Sequence, residues 1–285
     1  MNITNTCVEC IKAQIYKATK LLNLNETLSN EIMNEVNIKS SNFDFSRTPP
    51  FVAKEVYELL AKKTSLSDPL EKLKQESIKN AISYLPIVKE EIKNAKDKLF
   101  TAIKAAVAGN VIDFAVSREF SLKDEIKTIF HTDFSINDYE TFKSKLESTN
   151  KLLILSDNAG ENVFDKELIK TIKSLYPTIQ ITYATRGKAI INDITIKEAY
   201  QINMQDYCKV ISTGVDTPGM EKTQASKQFI KTFDDASLIL SKGMGNFECL
   251  ESYKDDRIFF LFKVKCEVVA NKISRNVSEI ILKRG

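Results

Sequence analysis

From residue 151 onward, short apolar runs alternate with amphipathic helical patterns, and this alternation leaves the second half of the chain few possible architectures. The runs are Leu152–Leu155, Ile179–Tyr183, Val210–Ser212, Leu238–Leu240 and Ile258–Val264. Each is too short for a helix and apolar enough for a strand covered on both faces. Helical spacing separates most of them, over Lys166–Tyr176, Ile196–Met204 and Gln224–Thr232. Thr195-Ile196-Lys197-Glu198 has capping-box order, so a helix is expected to start there. Strand–helix alternation predicts an α/β fold, with a mainly parallel sheet carrying helices on its faces.

The first half follows another pattern. Six of the eight glycines fall between residues 160 and 245, and none precedes Gly109. Residues 1–150 read as a helical domain. Ile11, Ile15, Ala18 and Leu22 form a stripe over Cys10–Leu22, and Val52, Val56, Leu59 and Leu60 form another over Pro50–Lys62. Helices are also expected over Leu70–Leu85 and Val88–Ala108, with shorter ones near Leu122–Ile129 and Asn137–Glu147. The boundary near residue 150 is a change of pattern rather than a linker, because no Pro-rich or low-complexity tract marks it.

Composition narrows the function. Hydrophobic residues at 43% and charged residues at 28% read as a globular chain. A net charge of +3, with no basic stripe, argues against nucleic acid. No apolar run approaches the roughly 20 residues that span a bilayer, so no membrane association is expected. The opening residues lack an apolar signal core, and the odd count of five cysteines fits reduced thiols; both suit a cytoplasmic protein. A single His disfavours His-based triads and His-rich zinc sites.

Polar and small residues gather where the predicted strands end: Asp157-Asn158-Ala159-Gly160-Glu161, Thr185-Arg186-Gly187 with Asn192-Asp193, Ser212-Thr213-Gly214, and Lys242-Gly243-Met244-Gly245. In a parallel sheet these ends share one edge, where ligands bind. Two carboxylates and an amide from Asp157, Asn158 and Asp193 would form a hard oxygen shell for Mg²⁺ or Mn²⁺. Such a metal could polarise a phosphoryl group and activate water, with Lys242 supplying a cation. Each piece has a bland reading too: Asp-Asn before glycine is common turn chemistry, Asp193 could simply precede the Thr195 cap, and Lys242-Gly243 could be a solvated loop. A dinucleotide fingerprint fails because Glu248 stands where its third glycine belongs, and no Walker loop is present. The aspartyl-nucleophile phosphatase signature fails as well, with Ala159 in place of its second Asp.

Taken in order, these motifs resemble the metal-dependent damage-control phosphatases, a family long grouped only as a domain of unknown function. The resemblance rests on Ser156–Glu161 with Phe164-Asp165, Arg186-Gly187 with Ile191-Asn192-Asp193, and Lys242-Gly243 with Gly245–Glu248. In the first half, Cys7-Val8-Glu9-Cys10 with Gln14 resembles the opening of the family's microbial branch. Thr48-Pro49-Pro50, Asp68-Pro69 with Lys72, and Ala108–Asp113 follow in the family's order. The resemblance implies a three-layer, Rossmann-like α/β domain under a helical N-terminal part. It implies removal of phosphate from small phosphorylated metabolites, such as sugar phosphates, with a divalent metal: Mg²⁺ or Mn²⁺, with Co²⁺ or Ni²⁺ also possible. By motif the metal ligands would be Asp157, Asn158 and Asp193. Lys242 would hold the phosphate, with Asn110, Asp113, Glu161, Arg186, Gly214 and Gly243 bordering the substrate. Leu70 replaces the family's usual aromatic, and Met244 separates its paired glycines.

Cys7 and Cys10 make a lone CxxC, half a structural zinc site at most, and two thiols at a helix start is the simpler reading. His131 sits in a predicted connection, where a surface imidazole is a simpler reading than a catalyst. The alternatives to a phosphatase are a metal-dependent phosphometabolite-binding protein without turnover, and a methyl transferase. The second lacks its glycine-rich turn after the first strand. Neither the oligomeric state nor the substrate is legible.

Overall fold

A computed structural model describes residues 1–109 and 128–285. The helices α1 (Asn5–Leu21), α2 (Glu26–Ser40) and α3 (Pro49–Thr64) open the chain, followed by α4 (Glu71–Asn94) and α5 (Lys98–Ala108). Then come β1 (Ile136–Asn137), α6 (Tyr139–Ser148), β2 (Lys151–Leu155), α7 (Glu161–Leu175), β3 (Gln180–Thr185), α8 (Ile196–Gln201) and β4 (Lys209–Ser212). The chain ends through α9 (Lys227–Asp235), β5 (Leu238–Lys242), α10 (Met244–Leu250), β6 (Ile258–Lys263), α11 (Glu267–Ile273) and β7 (Ile280–Arg284). The expected helix near Leu122–Ile129 lies largely outside the described residues, as do Asn110 and Asp113.

The strands form a seven-stranded sheet in the order β1-β7-β6-β5-β2-β3-β4. All neighbours run parallel except β6 and β7. The pleat sorts the apolar runs between two layers. Leu152, Ile154, Leu238 and Leu240 face one side, where they join α4, α5, α6 and α7 through Ile103, Phe142 and Phe164. Leu153, Leu155, Ile239 and Phe260 face the other, against Phe229 and Phe233 of α9, Phe247 of α10 and Val269 of α11. Both faces are covered, which explains why the strands read as continuous apolar runs rather than alternating ones.

The helical half divides. Among the described residues, α1, α2 and α3 build a separate core around Ile15, Ile32, Val36, Val56 and Leu60, which Leu70 and Ile190 join. Helices α4, α5 and α6, with strand β1, belong to the sheet's layers although they precede residue 151. The helix break also moves. Pro86 lies inside α4, and the chain turns extended at Ala95 instead, where Asp97 caps α5 by accepting from the Phe100 N–H at 3.0 Å. Among the described residues no helix is long and apolar enough to cross a membrane.

Candidate active site

Strand β2 lies between β3 and β5, so the connections leave it toward one side and return on the other. Such a switch point opens a crevice at the carboxyl ends of the strands. The residues after β2 and β3 are tied together there. Asn158 and Asp193 form an antiparallel β-bridge. The Ile194 N–H donates to the Asp157 carbonyl at 3.0 Å, and the Ala159 N–H to the Asn192 carbonyl at 2.8 Å. Ile191 takes a φ of 46°, which is uncommon for a β-branched residue, in the turn that brings Asp193 back to this bridge. Local strain of this kind collects at functional sites.

The three residues expected as metal ligands are therefore brought together, and their hydrogen bonds define which atoms face the site. The Asn158 side-chain N–H₂ donates to Asp157 Oδ2 at 2.8 Å and to Glu161 Oε1 at 3.0 Å. Arg186 Nε donates to Asp193 Oδ2 at 2.6 Å, and Arg186 Nη2 lies 3.9 Å from Asp157 Oδ1. One oxygen on each of the three, Oδ1 of Asp157, Asn158 and Asp193, stays out of these hydrogen bonds. Burial pushes the Asp157 carboxyl well above the usual carboxylate range, and Glu161 and Asp193 push it further; Arg186 and Lys265 oppose them. Burial raises Asp193 as well, against Arg186. Two crowded carboxyls with an amide oxygen beside them suit a hard divalent cation. Both Nη groups of the buried Arg186 find no acceptor among the described residues, so polar atoms at this spot await a further partner. Among the described residues no three His, Cys, Asp or Glu side chains cluster as a metal site, so the donor set here depends on the asparagine.

Lys242 reaches the same place from the end of β5. Its side chain is fully buried, and its ammonium donates to Glu161 Oε2 at 2.9 Å and to Asp165 Oδ1 at 2.7 Å. Burial opposes the charge, yet Asp165 and Glu161 hold this lysine above its usual range. The ammonium expected to meet the substrate phosphate is thus paired with two buried carboxylates. Lys242 steadies Glu161, which in turn orients the Asn158 amide. Tyr183 donates to Asp165 Oδ2 at 2.7 Å and closes the buried network. Glu161 and Arg186, expected to border the substrate, are buried and contact the Asn158, Asp193 and Asp157 side chains. Gly214 packs with its backbone against Gly187, the residue after Arg186. Gly243 does abut the site. At φ 80° and ψ 159°, it passes so close to Asp157 that an added Cβ would stand 2.1 Å from Oδ2.

Asp157, Asn158 and Asp193 open into a cavity of about 360 Å³. Its other wall comes from the helical layer, where Cys7, Cys10, Gln14 and Lys17 line one face of α1, with Pro50 and Tyr57 from α3.

Residues 3–281 match the damage-control phosphatase ARMT1-like domain. The chain belongs to this family. An uncharacterized protein of Methanocaldococcus jannaschii is 33% identical over all of this chain and 96% of its own length. A damage-control phosphatase of Archaeoglobus fulgidus is 29% identical over 99% of each chain. A crystal structure of a DUF89 family protein from Pyrococcus horikoshii superposes with a TM-score of 0.92 at 27% identity, covering 100% of this chain and 99% of that one.

For this damage-control phosphatase family member, the sequence signal that went unread is the second stripe of α1. Ile11, Ile15 and Ala18 mark the buried face, and Cys7, Cys10, Gln14 and Lys17, also at helical spacing, line the cavity together with Ile11 and Ala18. Gln14 is held by the Tyr57 hydroxyl at 3.0 Å. All five cysteines are free thiols, and His131 is exposed. Glu248 of α10 also lines the cavity, where burial raises its carboxyl to about 7. The folded state thus holds this proton more tightly than the unfolded chain does. Stability from Glu248 is complete below the ordinary glutamate range and is lost as pH rises toward and through about 7. Glu248→Gln should therefore stabilise the protein at pH 8 by roughly 1–3 kcal/mol and leave it unchanged at pH 4. Urea unfolding at both values measures this difference.

Proposed function

We propose that the chain is a divalent-metal-dependent phosphatase acting on a small phosphorylated metabolite. The supporting observation is the convergence of three side-chain oxygens, from Asp157, Asn158 and Asp193, that stand outside the hydrogen bonds described above, beside a cavity of about 360 Å³. That volume lies in the range of small-molecule sites. Relatives named damage-control phosphatases point the same way.

Asp157, Asn158 and Asp193 would hold the cation, which when bound supplies Lewis-acid polarisation of a phosphoryl oxygen and a more acidic water. The remaining work falls to the chain itself. Arg186 fixes the Asp193 carboxylate, and Glu161 fixes the Asn158 amide so that its oxygen faces the site. Pro49, Pro50, Ala53 and Leu70 give the cavity an apolar wall that limits water around the substrate.

The test is a phosphate-release screen over sugar phosphates, nucleotides and cofactor phosphates, using EDTA-stripped protein with and without Mg²⁺, Mn²⁺, Co²⁺ or Ni²⁺. Turnover of at least one ester only with metal is expected. Metal-dependent binding without release would favour a phosphometabolite-binding protein, and full activity of stripped protein would contradict metal dependence.

A further inference from the structure

The loop that carries Asp193 is also held from outside the sheet, by a chain of contacts that begins in α4. Lys74 belongs to α4 and is fully buried. Its ammonium pairs with Glu198 Oε1 at 2.9 Å and with the Asp68 carboxylate. Glu198 is fully buried as well, and its Oε2 accepts from the Thr195 N–H at 2.8 Å and from the Thr195 hydroxyl at 2.7 Å. Thr195 caps α8 and stands two residues after Asp193. The Glu198 carbonyl accepts from the Asn162 side chain at 3.1 Å, and the Asn162 side-chain oxygen accepts from the Gly160 N–H at 2.9 Å. Glu198 thus joins the loop after β3, with Asp193, to the loop after β2, with Asp157 and Asn158. Lys74 fixes Glu198 to α4.

Packing alone does not call for a lysine here. Burying an ammonium is costly, and an apolar side chain of similar size often stabilises such a position as well or better. What the charge supplies, and methylenes do not, is direction. Burial opposes the Glu198 charge, yet Lys74 and the Thr195 bonds hold that carboxyl below the usual glutamate range. The Lys197–Glu71 and Gln201–Gln75 contacts also cross between α8 and α4, but they are exposed, and solvated contacts hold weakly. Asp68, the second partner of Lys74, leads through Pro69 to Leu70 in the cavity wall, so one ammonium steadies both that wall and the Asp193 loop. We propose that Lys74 is a positioning residue for the cation site: through Glu198 and the Thr195 cap it holds the Asp193 carboxylate in register with Asp157 and Asn158. It acts without touching the cation or the substrate.

The inference rests on reading Asp157, Asn158 and Asp193 as the cation's ligands, and one experiment separates the two. Mn²⁺ is titrated calorimetrically into EDTA-stripped wild type, Lys74→Met, Glu198→Gln, the double variant and Val36→Ala, and hydrogen exchange over residues 190–198 is read on the same metal-free samples. Lys74→Met keeps a flexible stem without the charge, and Glu198→Gln keeps a residue that can close the capping box. Val36 lies in the separate core of α1, α2 and α3, so Val36→Ala lowers stability away from the site. Lys74→Met and Glu198→Gln should each weaken Mn²⁺ binding roughly tenfold or more, the usual effect of removing a group that orients a ligand from behind. The double variant should bind no more weakly than the weaker single variant, because both changes cut one link. Exchange should quicken over residues 190–198 before it does in the sheet. Val36→Ala should melt lower yet bind Mn²⁺ within about twofold of wild type. If Lys74→Met fails to fold, Glu198→Gln alone decides. Mn²⁺ affinity within about twofold of wild type in the folded variants, or losses that add in the double variant, overturn the inference while the metal site stands. Wild type that takes up no Mn²⁺ overturns the metal site and the inference with it.

Discussion

Asp157→Asn should leave a folded protein whose phosphate release falls by roughly a thousandfold or more, because metal stabilisation of a phosphoryl transition state is worth several kcal/mol. The substitution keeps the shape and removes one of the two carboxylates proposed to hold the cation. Its second consequence is less usual. The Asp157 carboxyl is pushed well upward by burial and by Glu161 and Asp193, so a charged Asp157 without metal destabilises the fold at neutral pH. Its stabilising contribution is present below the ordinary carboxylate range and is lost as pH rises through the raised value. Metal-free Asp157→Asn at pH 7 should therefore melt at or above the temperature of metal-free wild type. Activity and calorimetry on the same two samples check both halves. A variant that lost activity and stability together would indicate a structural role instead.

Gly243→Ala should be nearly as damaging although it adds one methyl group. The backbone there has φ 80° and ψ 159°, a region that essentially only glycine occupies. The new Cβ would stand 2.1 Å from Asp157 Oδ2 and 2.6 Å from Oδ1, distances at which the carboxylate or the strand end must move. Backbone strain alone costs about 1–3 kcal/mol. Displacing a ligand by an ångström can cost about a hundredfold in rate. Denaturant unfolding and phosphate release should both fall, with weaker Mn²⁺ binding. Serine or alanine at 243 with wild-type metal affinity would show that this close approach is not needed.

Much of this arrangement was legible in the sequence because it depends on local chemistry. The runs Leu152–Leu155 and Leu238–Leu240 fall within β2 and β5, and the Thr195–Glu198 capping box opens α8 as expected. Asp157, Asn158 and Asp193 meet because strand ends share an edge, a consequence of parallel order rather than of any one residue. What failed to show was set by tertiary pairing. Helix α2 buries Ser29 and Ser40 beside Ile32 and Val36, a stripe too polar to stand out. Strand β7 is apolar only over Ile280-Ile281-Leu282, and its antiparallel pairing with β6 departs from the strand–helix rhythm. The pairing of Lys242 could not be read at all: Glu161 and Asp165 precede it by some eighty positions, and only the fold turns both carboxylates onto one ammonium.

The most direct measurement is Mn²⁺ titration of EDTA-stripped protein by calorimetry, comparing wild type with Asp193→Asn. Wild type should take up one equivalent per chain, and the variant, which keeps its size but loses one of the two carboxylates facing the site, should bind at least about tenfold more weakly. Equal affinity in the two proteins would mean that the cation, if any, sits elsewhere, and the metal centre described here would be wrong.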